Sequence, residues 1–137
     1  ISREFTTNET LIQENCVLPA AFSMSVFNAP IALANLACNL KSGYTTALPS
    51  KGNFYKGLQS ACAEILSGKE QQLLFIFGDE YVPNAYGTLQ PQDNAPLAFA
   101  TVISAQKIYE NSFESNLENL KSISSKDFLK KLINEIY

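Results

Sequence analysis

The chain has no histidine and no tryptophan among its 137 residues, and only 17% of them are charged. Lack of histidine removes the imidazole that most often activates a thiol or hydroxyl nucleophile near neutral pH, and with it the commonest metal ligand. Cysteine is scarce. Cys16, Cys38 and Cys62 form no CxxC pair and no zinc spacing, and an odd, widely separated set does not build the disulfide framework of a small secreted domain. A reducing cytoplasm is therefore the expected compartment, and no cofactor is expected. Basic clusters are missing as well: net charge is −3 and nothing exceeds the pair Lys130-Lys131, so the electrostatic footprint of a nucleic-acid binder is lacking. No uninterrupted apolar run reaches the roughly 18 residues of a membrane span, because even Val17 to Leu40 is punctuated by serine, asparagine and two prolines. A soluble protein is expected.

What is present is a chain with 46% hydrophobic residues, enough for one compact domain over residues 1–137. Its opening, Ile1-Ser-Arg-Glu-Phe5, resembles neither a signal peptide nor a domain start, and a missing N-terminal portion is expected. Phe5, Leu11 and Ile12 mark a short amphipathic segment with Asn8 or Thr10 as caps, followed by an extended Val17-Leu18-Pro19 passage. From Pro30 to Ser42 apolar residues cover most of a helical surface, with Pro30 in the first turn and Gly43 past the end, which predicts a helix buried on nearly all sides. Tyr44 to Leu48, rich in threonine and bounded by Gly43 and Pro49, reads as a strand.

Asn53 caps a second expected helix, on which Phe54, Leu58, Ala61, Cys62 and Ile65 share a face and which ends at Gly68. Leu73-Leu-Phe-Ile-Phe77 has the continuous apolar pattern of a strand covered on both faces, and it runs into a Gly-Asp-Glu turn. Leu97 to Ser104 reads as another strand. Residues 111–125 are polar and partly helical around Leu117 and Leu120. A C-terminal helix over about 125–136 carries Leu129, Leu132, Ile133 and Ile136 as one stripe, with Ser125 as its cap and Asp127 in the first turn. Alternating strands and helices make the class α/β.

Several short motifs then occur in a telling order. Ala21-Phe-Ser-Met-Ser-Val-Phe-Asn-Ala29 precedes an apolar helix; Thr45-Thr-Ala-Leu48 precedes a loop; Lys56-Gly-Leu58 lies on the next helix; Phe77-Gly-Asp-Glu-Tyr-Val-Pro-Asn-Ala-Tyr86 follows a strand. Together, over about residues 19–104, they resemble the N-terminal domain of β-ketoacyl synthases, in the short divergent form found in bacterial clusters for unusual fatty acids and aryl polyenes. The resemblance implies a layered, thiolase-like half domain with a mixed sheet and buried central helices, without its first strands. It also implies a cysteine nucleophile at a helix N-terminus, where the dipole lowers its pKa. In this chain the equivalent loop reads Pro49-Ser-Lys-Gly52, so Ser50, Lys51 and Gly52 are the non-catalytic counterparts of the nucleophile loop. The family's catalytic histidines belong to a C-terminal half outside this sequence.

No catalytic residue is expected in consequence. Cys38 and Cys62, mid-helix on apolar faces, read as small core residues, and Cys16 has no basic neighbour to form a thiolate. Ser23 and Ser25 lack the G-x-S-x-G elbow of a serine nucleophile. Asp79 and Glu80 stand at the carboxyl end of a strand, where α/β proteins place ligand groups, and are read as a turn with a weaker claim to ligand binding. By the resemblance, Tyr44, Thr45, Thr46, Ala47 and Leu48 form the strand that pairs across a two-fold axis. The expected partners are thus a second copy, an active ketosynthase, or an acyl carrier protein. The expected role is an inactive ketosynthase-like subunit in fatty acid, polyketide or polyene synthesis. Two alternatives stay open: an acyl hydrolase or transferase using Ser50-Lys51 or Asp79-Glu80, and a small-molecule binding module with an apolar cavity.

Overall fold

A computed structural model describes residues 2–16, 19–47, 53–89, 95–106, 117–121 and 123–136. The described elements, in chain order, are helices α1 (Ser2–Glu14), α2 (Pro19–Ser25), α3 (Ala29–Ala37) and α4 (Asn53–Leu66), strands β1 (Gln72–Asp79) and β2 (Leu97–Ser104), and helix α5 (Ser125–Ile136). Short 3-10 turns lie at Asn84–Leu89 and Leu117–Leu120. The class is α/β, as expected, and the chain divides into two compact units: residues 1–48 with 80–96, and residues 49–79 with 97–137.

The second unit is built around phenylalanine. β1 and β2 pair antiparallel, with Phe75 opposite Thr101 and Phe77 opposite Phe99. Because side chains alternate along a strand, Leu73, Phe75 and Phe77 share one face with Phe99 and Ile103, and α4 packs against both strands. Phe54 of α4 meets the rings of Phe75, Phe77, Phe99 and Phe128 at centroid distances of 6.1, 5.4, 6.1 and 5.3 Å. These are edge-to-face and tilted geometries, which the ring quadrupole favours over a face-to-face sandwich. Leu58, Leu120 and Phe128 are buried at the centre, with Tyr55, Cys62, Ile123 and Leu132 around them.

Helix ends in this unit follow local chemistry. Gly68, at φ 74, closes α4 where an L side chain would be strained, and its N–H donates to the Ile65 carbonyl at 3.0 Å, as expected for a glycine past a helix end. The cap of α5 is Ser124 and not Ser125. Ser124 Oγ accepts from the Asp127 N–H at 3.1 Å and donates to the Asp127 carboxylate at 2.7 Å. Ser125 is already the first helical residue, and this reciprocal pair satisfies an amide that would otherwise lack a partner.

In the first unit, α1 packs on α2 and α2 on α3. The Phe5 and Tyr86 rings meet edge-on at 5.3 Å, tying α1 to the 3-10 turn. Within that turn Gly87 adopts φ 52, ψ −117, a conformation that glycine tolerates and other residues do not. Several expectations are corrected here. Asn8 and Thr10 lie inside α1 rather than capping it, with Thr10 Oγ1 donating to the Thr6 carbonyl at 3.0 Å. Pro19 opens α2 instead of ending an extended passage, because a first helical turn needs no proline N–H.

α3 stops at Ala37, six residues before Gly43. Asn39, at φ 52, supplies the left-handed turn, while Leu40 N–H reaches the Asn35 carbonyl at 2.8 Å and Asn39 N–H the Leu36 carbonyl at 3.2 Å. That is a Schellman closure with asparagine standing where glycine is usual. Nor is α3 buried on nearly all sides: Ala29 alone is buried on it, and Leu36 is 78% exposed. Among the central helices, burial falls on α4 through Leu58 and Ile65.

Candidate functional site

The expected site residues distribute unevenly over this framework. Ser50, Lys51 and Gly52, the nucleophile-loop counterparts, lie outside the described residues, as does Leu48. On the downstream side of that loop, α4 begins at Asn53. Tyr44, Thr45, Thr46 and Ala47 are described and exposed, and they form neither strand nor helix, so the strand expected over 44–48 is not present over its described part. Threonine and tyrosine bring the propensity, but a strand exists only with a ladder partner for its backbone.

Asp79 is the last residue of β1, opposite Leu97, and both it and Glu80 are exposed. Cys16 and Cys38 are exposed and Cys62 is half-buried. Cys38 is therefore not a core residue: it occupies the cap position after α3, a consequence of that helix ending early. Cys62 does pack against the phenylalanine cluster, and burial pushes its thiol above the ordinary value, the reverse of what thiolate nucleophilicity requires. The Ser25 hydroxyl donates to the Phe22 carbonyl at 2.7 Å, an interaction internal to α2. No group of three or more Cys, Asp or Glu side chains among the described residues is arranged to hold a metal ion.

A hollow of about 370 Å³ lies where α3 meets the irregular segment that follows it, lined by Ala32, Asn35, Leu36, Leu40, Lys41, Ser42 and Tyr44. Its lining residues are exposed or half-exposed, so it is a surface depression and not the enclosed cavity a binding module would need. Sequence reading did not foresee it, because placing Tyr44 on a strand separated it from Leu36 and Leu40. Among the described residues no single helix is long and apolar enough to cross a membrane; α2 and α3 reach that length and composition only as a pair bent by 94°.

Five α-helices and a two-stranded antiparallel sheet among the described residues are the mixed α/β content of a partial thiolase-like half domain. The sequence matches the family described as β-ketoacyl synthase, N-terminal domain, over residues 1–133, and the chain belongs to that family. No curated protein matches the chain significantly.

Proposed function

We propose that this chain is a ketosynthase-like subunit that performs no acyl transfer itself and acts by pairing, with a second copy or with an active ketosynthase, in fatty acid or polyene synthesis. The observation that carries this reading is Pro49-Ser-Lys-Gly52 in place of a cysteine-bearing loop. A serine hydroxyl is a poor nucleophile at its own pKa and needs a positioned base. The raised Cys62 thiol and the exposed Asp79 and Glu80 carboxylates support the same reading.

Pairing would use Tyr44 to Leu48. The described part of this segment is exposed and irregular, outside any ladder, and pairing with another chain would give its backbone the ladder partner it has not found within the described residues. Two copies related by a two-fold axis would each supply the partner that the other lacks. A subunit of this kind would shape the acyl site of its partner in the cytoplasm, with an acyl carrier protein delivering to that partner. The test is to express the full-length protein with the ketosynthase encoded beside it. Co-elution, with a change in product chain length when this subunit is withdrawn, is the expected result; separate elution with unchanged products would overturn the proposal.

A further inference from the structure

We draw no further inference here: the strongest candidate, the charge-free apolar surface patch along α2, the bend after it and α3, with Phe22, Phe27, Leu33 and Leu36 exposed, carries nothing because no feature of the structure shows what covers it.

Discussion

The two compact units have similar raw material and use it differently. In the unit of residues 49–79 and 97–137, apolar residues fall at strand period 2 and helix period 3.6, and their faces meet: Phe54, Phe75, Phe77, Phe99 and Phe128 converge on one cluster. In the unit of residues 1–48 and 80–96, residues 15–40 carry no charge at all, yet α2 has no buried residue and α3 has only Ala29. Hydrophobic content alone therefore does not make a core. Burial needs a periodic stripe opposite another stripe, and an all-round apolar helix as short as α3 has no preferred face to offer.

That contrast can be broken most severely at Phe128 or Leu58, which are 4% and 2% exposed. Replacing either by alanine should cost about 3 to 5 kcal/mol for the ring and about 2 to 5 kcal/mol for the leucine, read as a lowered midpoint in denaturant unfolding. A loss below about 1 kcal/mol at both positions would mean that the cluster is not the core of this unit.

A smaller effect is expected at the α5 cap. Ser124→Ala should lose about 1 kcal/mol, the ordinary worth of a serine cap. The same substitution should alter the acid limb of stability. The Ser124 hydroxyl, with help from Lys130, holds the Asp127 carboxyl below its usual value. A carboxylate depressed in the folded state contributes stability above its unfolded pKa of about 3.9, and that contribution is lost as pH falls through the lower folded value. The variant should therefore be less sensitive to acid over that range than the parent; an identical pH dependence would remove Ser124 from the account.

Association is the next and weaker lever, because it asks whether the exposed first unit is an interface. Thr46→Lys would set two like charges opposite one another near a two-fold axis, costing roughly 0.2 to 1 kcal/mol for the pair, so a few-fold weaker dimer is expected in sedimentation. A parent protein that stays monomeric at high concentration would contradict pairing between copies. The smallest effect belongs to Leu36, 78% exposed on α3: Leu36→Ser should move stability by less than about 0.5 kcal/mol. A loss as large as that of Leu58→Ala would show that α3 is covered after all.

Where hydrophobic period and turn chemistry agreed, the sequence was readable. β2 runs from Leu97 to Ser104 and α4 closes at Gly68 as expected, since a strand bounded by proline and a helix ended by glycine leave little freedom. The run Leu73–Phe77 locates β1 but does not define its environment. An unbroken apolar run suggested cover on both faces, whereas Leu74 and Ile76 are 60% and 55% exposed and only the phenylalanine face is packed. Period cannot distinguish those cases when both faces are apolar.

Asn39 takes the left-handed turn at φ 52, a position for which glycine is the stronger sequence signal although asparagine tolerates that region. At the nucleophile-loop counterpart, the residues Pro49-Ser-Lys-Gly52 are read directly from the sequence, and their geometry lies outside the described residues. Burial of Cys62 followed from its place beside Leu58 on the α4 stripe. Exposure of Cys38 did not, because it depended on where α3 ended.

The central claim is that this chain holds no acyl nucleophile, and the most direct measurement is intact-mass and peptide mass spectrometry of the full-length protein after incubation with an acyl thioester. The account predicts no acyl group at Cys16, Cys38, Cys62 or Ser50 beyond that on a denatured control. One stoichiometric acyl group, localised to any of these residues and abolished when that residue is replaced by alanine, would contradict it.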